Sequence, residues 1–159
     1  HNTDIEKNLI NIFEALIEVS KKYDIILPIH PRTKNKLEAL NSNIFQRIMD
    51  QKTLKLIQPV SFLDMIQLEK NAKMIITDSG GVQKEAYFFN KPCIILRPET
   101  EWVEILDTQM AKLAAANFNA IISAFNDFNN KKEKNFPQIF GDGNAASFIC
   151  NKLFKNQKN

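Results

Sequence analysis

Short apolar runs alternate with amphipathic segments along almost the whole chain, and this alternation constrains the fold more than any other feature. The runs at 25–30, 54–57, 74–77 and 93–96 are mostly apolar, which predicts strands of a sheet that is covered on both faces. The segments between them repeat apolar residues at helical spacing. Strands and helices in this order form parallel sheets with right-handed crossovers. The sequence therefore predicts an α/β fold, a doubly wound parallel sheet with helices on both faces.

Start and stop signals set the expected element boundaries. Thr3 opens the first helix as a capping-box residue, and Ser61 with Asp64 caps a later one. Helices are expected at 3–22, 34–51, 61–71, 80–89, 117–127 and 144–155, with a helical turn at 101–106, a weak strand at 110–115 and a polar loop at 126–135.

Length and composition bound the class of protein. With 159 residues and 44% hydrophobic content, the chain can form one domain over 1–159, either alone or as half of a larger enzyme. We find no apolar run long enough to cross a membrane and no signal-peptide pattern, so we expect a soluble cytoplasmic protein. Cys93 and Cys150 lie in apolar patterns, which suggests small buried side chains and no metal site.

The charge pattern argues against a nucleic-acid partner. The net charge is only +3, and the basic residues are scattered along the chain. One cluster, Lys131, Lys132 and Lys134, lies beside asparagine-rich sequence and is typical of a solvated loop. A nucleic-acid surface usually carries a basic stripe or a known module.

All four glycines fall within 77–81 and 141–143, and the first stretch joins a strand to a helix. A glycine pair at the start of a helix indicates either a sharp bend or the close approach of a ligand. The unpaired first amides and the helix dipole favour a phosphate as that ligand. A simple N-cap at Ser79 followed by a tight turn explains the spacing equally well. The spacing leaves both interpretations open.

The candidate residues follow three different strands of the predicted sheet. His30, the stretch 78–81 and Arg97 each come directly after a strand. Ligands of open α/β sheets bind beyond the carboxyl ends of the strands. We therefore expect these residues to line one cleft.

Several motifs in a fixed order resemble one enzyme family. Thr-Asp-Ser-Gly-Gly-Val-Gln-Lys-Glu-Ala at 77–86 is followed by Lys-Pro-Cys-Ile-Ile-Leu-Arg at 91–97 and Thr-Glu-Trp-Val-Glu at 100–104. His30-Pro31 lies upstream, and Phe-Gly-Asp-Gly-Asn-Ala-Ala at 140–146 lies downstream. This combination resembles the non-hydrolysing UDP-N-acetylglucosamine 2-epimerases, over the carboxyl-terminal half of their architecture.

The resemblance implies one Rossmann-like half of a glycosyltransferase B-type fold that holds the UDP of a UDP-sugar. The implied reaction uses no cofactor: UDP is eliminated to give a glycal, and it adds back after protonation on the opposite face of carbon 2. The family's catalytic acids and an arginine that contacts phosphate belong to an amino-terminal domain, which is the expected partner of this half. Dimerisation of the intact enzyme is a further family expectation.

The resemblance also assigns roles to individual residues. Ser79, Gly80 and Gly81 match the loop that holds the diphosphate. Glu85 matches the carboxylate that accepts the ribose hydroxyls, with a surface helix acid as the alternative.

Four further residues match the family's nucleotide cleft. His30 is either a polar cap or a ligand to the phosphate or sugar, and as a ligand it is also a candidate catalytic group. Arg97 either neutralises phosphate or pairs with Glu101 or Glu104, and we favour the ion pair. Phe62 and Met65 match the region near uracil, although aromatic and methionine residues at this spacing are common in cores.

Departures from the family pattern concern specificity. Trp102 replaces an arginine common in bacterial members, and with the motif at 83–87 this resembles the branch that acts on UDP-diacetamido-glucuronic acids. The segment 107–116 lacks the usual glycines, which predicts an irregular strand. A glycosyltransferase donor domain and a non-enzymatic UDP-sugar-binding module are the alternative functions, because fold analogy alone does not separate them.

Overall fold

The computed structural model describes residues 5–40 and 43–155, so the predicted cap at Thr3 lies outside the described residues. Strands and helices alternate throughout this part, as predicted. The elements are α1 (Glu6–Ser20), β1 (Ile25–Pro28), α2 (Pro31–Ala39), α3 (Ile44–Met49), β2 (Leu54–Ile57), α4 (Phe62–Asn71), β3 (Ile75–Thr77), α5 (Gly80–Phe88), β4 (Cys93–Ile95), α6 (Val103–Asp107), β5 (Ala111–Leu113), α7 (Phe118–Asn130) and α8 (Ala145–Lys155).

The paired strands are parallel, which confirms the predicted α/β class. Hydrogen bonds divide them into two small sheets, β1-β2 and β3-β4-β5, where the sequence suggested one. Ile25 is in register with Leu54 in the first sheet, and Thr77 is in register with Ile95 in the second. Leu54 and Ile94 belong to the same hydrophobic cluster, so the two sheets share a core.

The central strand β4 is covered on both faces. Ile94 packs into a cluster with residues of α1 and α7, including Phe13 and Phe128. Its neighbour Ile95 packs into a second cluster with Tyr87 of α5. Successive side chains of a strand point to opposite faces, so this alternation places helices on each side of the sheet.

Two predicted boundaries are wrong for identifiable reasons. In place of the single helix expected at 34–51, the structure has two separate helices, α2 and α3. Helix α2 starts earlier than expected, because Pro31 occupies its first helical position. The loop expected at 126–135 begins only after Asn130. Phe128 extends the apolar stripe of Ile121 and Ala124 and is buried, so α7 continues through its asparagine-rich end.

Strand β5 is short and irregular, in line with the expectation for this segment. It has three residues, and Gln109 and Ala115 on either side have φ values of 58° and 48°. Glycine adopts such left-handed conformations without a Cβ penalty, whereas other residues are strained there. The lack of glycine in this segment therefore has a local energetic cost.

The last helix does not bury its apolar residues. Phe148, Ile149, Leu153 and Phe154 of α8 are all exposed, and so is Cys150, which was expected to be buried. The helical periodicity of α8 predicted the correct structure, but no other described element covers its apolar residues. Between residues 5 and 155, leaving aside 41–42, none of the helices has the length and apolar character needed to cross a membrane.

Candidate functional site: the amino terminus of α5

The first turn of α5 presents free backbone donors. Its first helical hydrogen bond runs from the Gln83 amide to the Ser79 carbonyl at 3.2 Å, so the amides of Gly80, Gly81 and Val82 have no partner within the helix. The Ser79 amide donates to Thr77 Oγ1 at 3.1 Å, which fixes the strand-to-helix junction. Ser79 occupies the N-cap position, but its hydroxyl makes no capping hydrogen bond. This terminus can therefore donate hydrogen bonds to an anion.

The glycine pair is not required by the backbone conformation. Positive φ values occur at Gly141 and Gly143, whereas Gly80 and Gly81 begin a regular helix. A Cβ placed on Gly81 would meet only Ser79 Oγ, at an ordinary 3.9 Å. The backbone conformation alone therefore does not need glycine at these two positions, and the close approach of a ligand stays a prediction.

In this structure the group that approaches Gly80 is a carboxylate. A Cβ on Gly80 would overlap a Glu101 carboxylate oxygen and would lie 3.6 Å from Arg97 Nη1. Arg97 and Glu101 form an ion pair at 2.9 Å. Both side chains are partly exposed and flexible, so the pair can move aside at small cost. An anion that contacts the Gly80 region has to replace this carboxylate.

Trp102 hydrogen-bonds to the same turn and packs beside it. Its indole N–H donates to the Gly80 carbonyl at 2.9 Å, and its ring packs edge-on against Phe140. The Lys84 ammonium lies 4.2 Å and 4.6 Å from the centres of these two rings. The Trp102 indole is therefore half-buried packing for the glycine turn.

Glu85 lies one turn after Gly81 on α5 and is half-buried. Its charge acts on Glu69 of α4, whose side chain is only 2% exposed. Two causes raise the pKa of Glu69 from 4.5 to about 7: desolvation is the larger, and the charge of Glu85 is the second. The site therefore contains a second carboxyl group directly behind the expected ribose ligand.

Three other predicted residues lie at the carboxyl end of the two-stranded sheet. His30 caps α2, because its Nδ1 accepts a hydrogen bond from the Arg32 amide at 3.2 Å. A neutral imidazole that accepts at Nδ1 carries its proton on Nε2, so the cap leaves a donor for a ligand. Phe62, at the start of α4, is 69% exposed and Met65 is half-buried, so neither packs as a fully buried core residue.

The structure thus brings one group of residues into direct contact: Gly80, Arg97, Glu101 and Trp102 surround the start of α5. Sequence reasoning did not single out Glu69. The available signal was its position four residues after Met65, which places a charge on the side of α4 that faces the protein. Ser61 was identified correctly, because its hydroxyl accepts from the Asp64 amide.

Comparisons with known proteins identify the family. The family model for UDP-N-acetylglucosamine 2-epimerase matches residues 1–154. A UDP-N-acetylglucosamine 2-epimerase homolog of Methanococcus maripaludis is 48% identical over 152 residues, which is 96% of this chain and 41% of the relative. The UDP-2,3-diacetamido-2,3-dideoxy-D-glucuronate 2-epimerase of Pseudomonas aeruginosa is 37% identical over 97% of this chain and 42% of its own length.

Solved structures agree with the sequence matches. The UDP-GlcNAc 2-epimerase of Methanocaldococcus jannaschii aligns with a TM-score of 0.88 at 39% identity, over 97% of this chain and 43% of that one. A second structure of that enzyme, in complex with UDP-GlcNAc and UDP, aligns with a TM-score of 0.81, at 39% identity, over 97% of this chain and 42% of that one. The chain spans about two fifths of the length of these relatives. It belongs to the UDP-N-acetylglucosamine 2-epimerase family.

Proposed function

We propose that this chain is the UDP-binding half of a UDP-sugar 2-epimerase that interconverts UDP-N-acetylglucosamine and UDP-N-acetylmannosamine. The amides at the start of α5 carry the proposal, since they have no partner within the helix and neither the backbone nor a close neighbour requires glycine at 81. The complex of the M. jannaschii enzyme with UDP-GlcNAc and UDP supports the choice of ligand. The remaining part of the enzyme supplies the acid and base groups and covers α8. The intact enzyme acts in the cytoplasm as a homodimer.

In this proposal the site stabilises the leaving nucleotide. Negative charge grows on the UDP oxygen as its bond to the sugar breaks, so hydrogen bonds from the α5 amides and the Ser79 hydroxyl strengthen along the reaction. Arg97, released from Glu101, adds a cation to the diphosphate, and His30 donates from Nε2. Glu85 accepts the ribose hydroxyls, and Phe62 with Met65 lies beside the base. Protonation at carbon 2 belongs to the remaining part of the enzyme.

Calorimetry with UDP tests the site. Ser79→Ala and Glu85→Ala are each expected to weaken binding by about 1 to 2 kcal/mol, because each leaves a polar group of the ligand without its partner. Ser123→Ala and Glu133→Gln, which change exposed residues away from the site, serve as matched controls. Equal affinity of all four variants and the parent chain would contradict the assignment.

Neutralising Glu101 is expected to strengthen binding. Its carboxylate occupies the space beside Gly80 and competes with an incoming diphosphate for Arg97. Glu101→Gln removes that competition, and we expect UDP affinity to rise about fivefold, or roughly 1 kcal/mol for a partly exposed charge. Calorimetric titration with UDP at low and at high salt measures this change in affinity. Weaker binding by this variant would show that Glu101 contacts the nucleotide directly.

An exchange experiment separates the epimerase from a glycosyltransferase donor domain. The chain is expressed joined to its native upstream sequence and incubated with UDP-N-acetylglucosamine in deuterated water. Incorporation of deuterium at carbon 2 without any acceptor supports the epimerase. Release of UDP that depends on an added acceptor overturns it in favour of a transferase.

A further inference from the structure

Glu69 is a buried carboxyl group that the proposed function has not used. It is on α4, which packs beside α5, and its side chain is 2% exposed. Neither of its oxygens accepts a hydrogen bond from any group in the described part of the chain. A buried carboxylate without a partner costs several kcal/mol in general, so its surroundings need an explanation.

The groups that face Glu69 do not offset a negative charge. From α5 the Glu85 carboxyl raises the pKa of Glu69 both as a charge and as a hydrogen-bond partner, and from β4 the Cys93 thiol responds to the charge of Glu69. Burial, with Glu69 as a second cause, raises the pKa of Cys93 to about 12, so the thiol remains neutral. Two ionised carboxylates cannot hydrogen-bond to each other, because neither carries a donor. A proton on Glu69 provides that donor.

We propose that Glu69 is a positioning residue that donates its carboxyl proton to one oxygen of Glu85 and so holds the other oxygen of Glu85 toward the ribose. This inference rests on the proposed UDP site. Desolvation and the nearby Glu85 charge, which raise the pKa of Glu69 to about 7, keep the proton on Glu69 under neutral and acidic conditions. Above neutral pH the pair becomes two repelling anions, and Glu85 loses its fixed orientation.

Nucleotide affinity measured from about pH 6 to about pH 8.5 tests this role. The ratio of the affinities for UDP and for 2′,3′-dideoxy-UDP isolates the ribose contact, because phosphate protonation affects both ligands alike. We expect the parent ratio to fall about fivefold over this range as Glu69 loses its proton. Glu69→Gln, which keeps a donor at every pH, is expected to hold the ratio constant. Glu69→Leu, which has no donor, is expected to show a ratio about fivefold lower throughout.

The opposite results overturn the inference: a ratio in Glu69→Leu equal to the parent's, or a pH dependence that persists in Glu69→Gln. If the parent chain binds neither nucleotide, the proposed function has failed, and the interaction of Glu69 with Glu85 is then tested without a ligand. Carbon-13 NMR of the glutamate carboxyls then follows Glu69 directly. In Glu85→Gln the titration of Glu69 should move to lower pH, and an unchanged titration contradicts the shared proton.

Discussion

Replacing Gly81 with alanine is expected to stabilise the fold by about 0.5 to 1 kcal/mol and to weaken UDP binding about thirtyfold or more. The stability gain arises because Gly81 already has a helical conformation and a Cβ meets only Ser79 Oγ. Alanine also restricts the unfolded chain more than glycine does. The loss of binding arises because the added methyl group stands where a phosphate has to approach the amides. Opposite signs for stability and binding distinguish a ligand site from a structural turn.

Gly143→Ala is the matched control for that experiment. Gly143 has a φ of 82° and nothing within 4 Å of an added Cβ, so backbone strain is the main expected effect. Alanine there is expected to destabilise the fold by about 1 kcal/mol without changing UDP affinity. Urea unfolding and calorimetry measure both quantities. Destabilisation by Gly81→Ala with unchanged UDP affinity would show that the glycine pair serves the fold.

Glu69→Gln is expected to stabilise the fold by about 2 to 3 kcal/mol at about pH 8 and to have little effect at about pH 4. The pKa of Glu69 is raised from 4.5 to about 7 on folding, so the folded state binds more protons than the unfolded state between these values. Stability of the parent chain therefore falls as pH rises through this window and levels off above it. Glutamine at position 69 does not titrate, so the variant does not lose stability over this pH window.

Urea unfolding across the pH range checks this prediction through the difference between parent and variant. Glu133→Gln, at an exposed loop position, is the control and is expected to give a flat difference. A flat difference for Glu69→Gln as well would show that Glu69 is ionised in the folded chain at little cost. That result would also remove the physical basis for the donor role of Glu69.

The alternation of strands and helices was predictable because buried parallel strands and amphipathic helices leave different periodicities. Ile94 and Ile95 illustrate the limit of that signal, since the sequence shows that both are apolar but not which core each enters. The end of α7 was missed because asparagine favours loops locally, while burial of Phe128 outweighs that preference. Tertiary packing overrides local propensity at such boundaries.

The glycines of the candidate site and the Arg97–Glu101 ion pair were predictable, but the contacts that Glu101 and Trp102 make with Gly80 were not. Glycine at 80 and 81 is conspicuous in a chain that has only four. The Glu101 carboxylate over Gly80 and the Trp102 indole behind it come from a loop about twenty residues later, and only the fold places them there. Helical spacing places Glu69 on the inner side of α4, but its approach to Glu85 depends on the packing of α4 against α5. Contacts between distant segments leave no local pattern to read.

The hydrogen bond from Trp102 to the Gly80 carbonyl also makes this tryptophan an intrinsic fluorescent probe of the turn. Trp102 is the single tryptophan, so all indole emission comes from a ring joined to the turn that is proposed to bind phosphate. Any molecule that shifts this turn changes the surroundings of the fluorophore. Ligands can therefore be screened by intrinsic fluorescence without a label, and the signal reports on this one location.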